Sequence, residues 1–201
     1  MPCMRKASVA VAVLMLCLVA PPLTAAPTRV QIEDNDFRQR IVRVRVGDAV
    51  RWTRASDSFG THNVLGERKL IYSGPPTDGD IDYRARMSAG TFFYFCQVHG
   101  ATMTGFVNVP PTITAAPQGL PFTVRWATGT ATTGGRFDVQ FKLAKATRWR
   151  PWKSNVTGFL GSFGKKGKPV TVVKGKNYIF RARSQNKNGP SRWSPARSFR
   201  P

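Results

Sequence analysis

Apolar and polar residues alternate with a period of two along most of this chain, and no stretch sustains a helical period of useful length. "IVRVRVGDAVRWT" sets Ile41, Val42, Val44 and Val46 against Arg43 and Arg45, turns at Gly47-Asp48, and resumes with Val50 and Trp52. Successive side chains of an extended strand point to opposite faces, so this pattern builds half-buried strands. Strands are also expected at 29–32, 61–65, 69–72, 81–84, 90–96 and 105–109. The second half repeats the style. "FTVRWA" puts Val124 and Trp126 on one face, "RFDVQFKLA" turns Phe137, Val139, Phe141 and Leu143 inward, and "KNYIFRARS" alternates Tyr178, Phe180 and Ala182 against Ile179, Arg181 and Arg183. A last strand is expected to include 193–199. Short strands with frequent Gly, Asp and Pro between them define an all-β chain of sandwiches or barrels.

With 201 residues the chain is long enough for two cores. "NVPPTITAAPQGLPF", 108–122, is rich in Pro, Ala and Thr and separates two strand-bearing regions. The expected division is a leader over 1–26 and domains over 27–110 and 111–201. The leader carries two early basic residues, an apolar run too short for a comfortable membrane span, and the small residues of "PPLTAA". This is the pattern of a secretory signal cleaved near Ala25 or Ala26, which would place the mature chain in a periplasm or at a cell surface. Leu16 is too bulky for the position before a lipidated Cys17.

Cleavage would remove Cys3 and Cys17, leaving Cys96 as the single cysteine and ruling out an internal disulfide. The whole chain has two histidines, His62 and His99. One of them lies three positions after that cysteine, in "FFYFCQVHGATMTGF", and Met103 follows four positions later. Taken singly, a cysteine in an aromatic strand is a small core hydrophobe, and a lone histidine is a satisfied polar residue. Taken together they match what an electron-carrying copper ion requires: soft thiolate for Cu(I), imidazoles for both oxidation states, and a weak axial thioether. Zinc fits less well, because structural zinc sites use cysteine and histidine and a thioether is a poor ligand for it. His62 would have to come from a neighbouring strand, since an ion held by one loop would be mobile. With both histidines engaged no nucleophilic triad remains. There is no phosphate-cradling loop, and "DGDID" at 78–82 is a polar turn.

"THNV" followed by "YFCQVHGATMTGFVNV", together with the opening "VGDAVRW", resembles the cupredoxins, the plastocyanin and amicyanin group of small blue copper proteins. The resemblance covers roughly residues 28–109. It implies a Greek-key β-sandwich or barrel and one type 1 copper ion ligated by His62, Cys96, His99 and Met103, with Asn63 stiffening the loop around the sulfur. The segment from histidine to methionine is one residue longer than in amicyanin-like loops and one shorter than in plastocyanins. Four protein ligands leave no open position for a substrate, so the expected role is single-electron transfer to a redox partner protein and not enzymatic catalysis. Copper storage or delivery would use the same ligands.

The second half resembles a fibronectin type III module, an immunoglobulin-like sandwich, through Trp126, "FDVQFKLA" and "GKNYIFRARSQNKNGPSRWSP", with Tyr178 as the corner tyrosine. From residue 111 onward there are 18 Lys and Arg against one acid, Asp138, whereas 27–110 holds 11 against 9. That excess implies attraction to an anionic polymer or membrane surface, with Arg148, Arg150, Lys153, Lys165, Lys166 and Lys168 as the densest clusters. The same residues could equally be solvated strand faces, or stack on Trp149, Trp152 or Trp193 as cation–π pairs. Nucleic-acid recognition is disfavoured, because no groove-reading motif is present. A wall-binding protein with an incidental copper site is the third reading. Salt-sensitive binding of anionic polymer by the C-terminal half would mark it.

Overall fold

The computed structural model of the chain describes residues 26–116, 121–129 and 135–201. Residues 1–25 of the expected leader and part of the Pro-rich connection lie outside those residues. Among the described residues the regular structure is almost entirely strand, and no helix is long and apolar enough to cross a membrane. The first eight strands are β1 (Thr28–Ile32), β2 (Phe37–Arg38), β3 (Ile41–Arg43), β4 (Ala49–Arg54), β5 (Leu65–Gly66), β6 (Asp82–Arg86), β7 (Gly90–Phe95) and β8 (Thr104–Val109). They form two four-stranded sheets, ordered β2-β1-β4-β6 and β3-β8-β7-β5. β1 runs parallel to β4, and β3 parallel to β8.

The period-two pattern does what it should. In β7 Phe92 and Tyr94 point inward, and in β8 Val107 and Val109 do so, meeting Val30, Ile32, Val50 and Trp52 of the other sheet in one dry cluster. Burying a side chain of this size contributes about 1.5–3 kcal/mol. The expected strand at 69–72 does not form. Glu67–Lys69 is a 3-10 turn, and Tyr72 makes only an isolated bridge to Leu65. The expected strand at 61–65 is reduced to a bridge at His62 and the short β5.

The remaining strands are β9 (Thr112–Thr114), β10 (Phe122–Arg125), β11 (Arg136–Leu143), β12 (Arg150–Val156), β13 (Leu160–Phe163), β14 (Tyr178–Asn186), β15 (Gly189–Pro190) and β16 (Arg197–Phe199). Sheet β13-β10-β9 faces sheet β12-β11-β14-β15, with β16 also paired to β14. Phe122, Val124, Trp126, Phe137, Val139, Phe141, Phe163, Tyr178 and Phe180 fill the space between them. Leu143, expected inward, is 43% exposed because it ends β11 beyond the edge of this core. The two halves abut. Val46 packs against both cores, the Ala89 N–H donates to the Trp126 carbonyl at 2.7 Å, and buried Ser184 Oγ donates to the Ala89 carbonyl at 2.9 Å.

Candidate metal centre

At one pole of the N-terminal half the ends of β7 and β8 are joined by a loop of eight residues, 96–103. Cys96 leaves β7 and its N–H donates to the Met103 carbonyl at 3.1 Å, so the loop closes on itself at its base. The Gly100 N–H donates to the Cys96 carbonyl at 2.8 Å, and Thr102 Oγ1 donates to the His99 carbonyl at 2.7 Å. Gly100 has φ +54°, a left-handed backbone that a glycine reaches without penalty, and this turns the chain back after His99. His62 comes from the second segment. Its backbone pairs with Thr77 on both sides, N–H to carbonyl at 2.9 Å each way.

These segments converge. His62, Cys96 and His99 each offer one ligand atom, and the three atoms lie within 4.8 Å of one another. Two atoms bound to one ion cannot be further apart than the sum of their bonds, about 4.3 Å for nitrogen and sulfur, so the three side chains would draw together on binding a metal. His62 and Cys96 are fully buried, and His99 is half-buried. The imidazole rings lie 5.0 Å apart, tilted by 32°. Met103, beside them in sequence space, is buried in the same core.

The orientation of His62 is set by a hydrogen bond. Its Nε2–H donates to the Phe59 carbonyl at 2.7 Å, which fixes the tautomer and leaves Nδ1 as a lone-pair donor. Nδ1 of His62 and Nδ1 of His99 are both buried without a hydrogen-bond partner. Buried polar atoms are nearly always satisfied, so two orphaned imidazole nitrogens beside one thiol are what a missing metal ligation leaves. The donor set of two imidazoles and a thiolate fits a transition metal, and no carboxylate joins the cluster.

Outer contacts hold the two segments in register. Asn63 Nδ2 donates to the Gly74 carbonyl at 2.9 Å and to Gln97 Oε1 at 2.7 Å, while its Oδ1 accepts the Gln97 N–H at 3.0 Å. Asn63 therefore ties the residue after His62 to the residue after Cys96. Two further residues at this pole were not anticipated from sequence. Arg54 sends its guanidinium into the carbonyls of Ser58, Gly60, Thr77 and Gly79, pinning both flanks of His62. Asp34 accepts the Phe59 N–H and so fixes the carbonyl that orients the imidazole. Arg54 ends an alternating strand and its sequence context carries no signal of this role. Asn63→Ala would remove, from a fully buried position, the acceptor of the Gln97 N–H and the donor to the Gly74 carbonyl. We expect about 1–3 kcal/mol lower stability in urea denaturation and roughly 10- to 100-fold weaker metal retention in chelator competition.

Burial holds the His62 imidazole below its ordinary pKa, the Phe59 carbonyl partly opposes this, and His99 and Arg54 add to the depression. A depressed folded-state value means that the unfolded chain binds more protons. Stability from neutral His62 is thus fully present above the unfolded value, about 6.5, and is lost as pH falls through the folded value. The metal-free chain should unfold at lower urea at about pH 5 than at about pH 7.5, and His62→Gln should flatten that difference.

The basic residues singled out in the C-terminal half fall in two segments, one belonging to each sheet. Arg148, Arg150 and Lys153 lie in or just before β12, the edge strand of one sheet, while Lys165, Lys166 and Lys168 surround a turn after β13, the edge of the other. Arg150 stacks over Phe141 at 5.4 Å and Lys153 over Trp152 at 5.5 Å. Arg181 lies over both Trp149 and Trp193, at 4.2 and 4.7 Å, and Arg183 over Trp193 at 4.6 Å. Part of the positive charge is therefore used in packing, at about 0.5–1 kcal/mol per exposed pair. Lysine and arginine on edge strands also discourage pairing with other chains.

No family model and no curated protein matches the chain. Among solved structures it is similar to a reduced proline-to-phenylalanine mutant of amicyanin, at 27% identity over 41% of this chain and 81% of that one, with a TM-score of 0.36. An oxidised proline-to-glycine mutant of amicyanin is similar at 27% identity over 45% of this chain and 88% of that one, TM-score 0.36. Amicyanin from Paracoccus versutus (Thiobacillus versutus) is similar at 26% identity over 44% and 85%, again at 0.36.

Proposed function

We propose that the N-terminal half is a blue copper electron carrier of the cupredoxin kind, exported from the cytoplasm, with His62, Cys96 and His99 as equatorial ligands and Met103 as axial ligand. One observation carries this reading: a buried thiol and one nitrogen from each of two imidazoles lie within 4.8 Å of one another, on two separately anchored segments, with Nδ1 of both rings unpartnered. A single copper ion held there supplies one-electron chemistry between Cu(I) and Cu(II). The chain's contribution is rigidity and shielding. Phe59 and Asn63 hold the His62 segment, the Cys96–Met103 backbone bond closes the loop, and burial keeps water from the sulfur. His99 is the half-exposed member. With Val98 at 53% exposure and Phe59 at 76%, it offers an apolar rim where a redox partner protein would take or give the electron. A complete set of protein ligands leaves no place for a substrate, so no enzymatic turnover is assigned.

The C-terminal half is read as a fibronectin type III-like module serving as a docking element for an anionic polymer or membrane surface. Its three-stranded and five-stranded sheets support that reading. So does Tyr178, whose hydroxyl accepts the Val173 N–H at 3.0 Å, five residues upstream, in the manner of a tyrosine corner. The test is to load the metal-free mature chain with Cu(II), record the visible spectrum, then reduce with ascorbate and reoxidise with ferricyanide. An intense blue band that bleaches and returns is expected. A chain that stays colourless overturns the copper reading, and one that takes copper but will not cycle is a store and not a carrier.

A further inference from the structure

Inside the N-terminal half the two segments that build the cluster are joined by the Asn63–Gln97 hydrogen bonds and a short strand pairing. His62 and Asn63 lead into β5, a strand of two residues that pairs with β7 only at Leu65–Phe95 and Gly66–Tyr94. Directly after it comes the turn Glu67–Lys69, where Arg68 at φ +60° and Lys69 at φ +53° are both left-handed. Non-glycine residues avoid that region, and successive ones persist only where the surroundings over-determine them.

What over-determines this turn comes from the other half of the chain. The Arg68 carbonyl accepts from Asn186 Nδ2 at 2.9 Å and from Asn188 Nδ2 at 3.1 Å. Arg192 takes the Glu67 carboxylate with both arms of its fork, Nε to Oε2 at 3.1 Å and Nη2 to Oε1 at 2.7 Å. That guanidinium also lies over Phe93 at 5.1 Å and Phe106 at 5.6 Å, on the strands that run to Cys96 and from Met103. The Arg192 carbonyl accepts the Thr91 N–H at 3.1 Å, making a bridge to β7 itself. One arginine thus grips the segment that follows His62 and the hairpin that carries Cys96 and His99. A bidentate guanidinium fixes direction as well as distance, which a lysine in its place would not do.

We propose that Arg192, supported by Asn186 and Asn188, is a positioning clamp through which the C-terminal half sets the separation of the two ligand-bearing segments. The second half of the chain is then part of the metal site's scaffold. This rests on the reading that His62, Cys96 and His99 hold copper, and it assigns to the C-terminal half a role beyond docking.

The test uses the full mature chain with Arg192→Ala, Arg192→Lys and the double variant Asn186→Ala/Asn188→Ala, beside Lys176→Ala as an exposed control. Amide hydrogen exchange is measured on the metal-free proteins, and Cu(II) paramagnetic resonance with chelator competition on the loaded ones. Arg192→Ala and the double variant should exchange faster at 62–66, and Arg192→Ala also at 96–103. Both should give an altered copper spectrum and hold the ion roughly 10-fold less tightly. Lysine should restore only part, and the control should match wild type. Exchange at 62–66 unchanged in Arg192→Ala, whatever the spectrum does, overturns the clamp. A wild type that takes no copper defeats the copper reading alone, because exchange in the metal-free chain still decides the clamp. Should Arg192→Ala fail to fold, Glu67→Gln, which keeps the side chain's shape, is read by the same criteria.

Discussion

Cys96→Ser, loaded with Cu(II) beside the wild type, is expected to remain without the intense visible band. The substitution is nearly isosteric, and the site is buried, so the change isolates the chemistry of one atom. The band depends on a thiolate donating into the oxidised ion, and a serine hydroxyl stays protonated and is a hard, weak ligand. Cu–thiolate bonding is also what makes the lower oxidation state comfortable, so the variant should lose reversible cycling as well as colour. Burying the hydroxyl should cost about 1–3 kcal/mol of stability, small enough for circular dichroism to show the same strand content in both proteins. A variant as blue as the wild type would mean that the sulfur is not a ligand. Since Cys96 is the only cysteine among the described residues, no other thiol there can substitute for it.

Gly105→Ala should be among the most destabilising single-methyl additions in the N-terminal half. Gly105 pairs directly with Tyr94 across β8 and β7, and the hydroxyl end of the tyrosine ring fills the space where a Cβ would stand. A methyl there would meet the Tyr94 phenol and would lie 2.9 Å from the Arg40 carbonyl oxygen, which is itself committed to the Phe106 N–H at 2.6 Å. The ring cannot step aside, because it is wedged edge-on against Phe37 and Trp52, with centroids at 4.9 and 5.5 Å. Burial also pushes its hydroxyl well above the ordinary phenol pKa, so it stays neutral throughout the working range. Overpacking of this kind costs about 1–3 kcal/mol, and Gly105→Val should cost more. The measurement is a double-mutant cycle in urea: with Tyr94→Ala in the background the added methyl should cost clearly less, only the Arg40 carbonyl remaining in its way. Full additivity of the two changes would show that the ring is not what the glycine makes room for.

Arg54 and Arg192 show where sequence reading stops. Both are arginines in a chain with 31 basic residues, and nothing local separates them from Arg43 or Arg45. Their importance lies in which carbonyls and carboxylates stand opposite them, from segments between 4 and 125 positions away. The expected strand at 69–72 failed for a related reason. Its apolar residues Leu70 and Ile71 are buried, but the preceding turn is held left-handed by contacts from the far end of the chain.

Local chemistry by itself settled the strand character of both halves, because a period of two is imposed by backbone geometry and by the need to bury one face. It also settled the inventory at the pole, since Cys96, both histidines of the chain and a nearby methionine are facts of order along the sequence. Only the folded chain decided that His62 would reach Cys96, which nitrogen it would leave free, and how the second half of the molecule grips the first. Those are matters of direction and distance between residues remote in sequence, and a linear pattern carries neither.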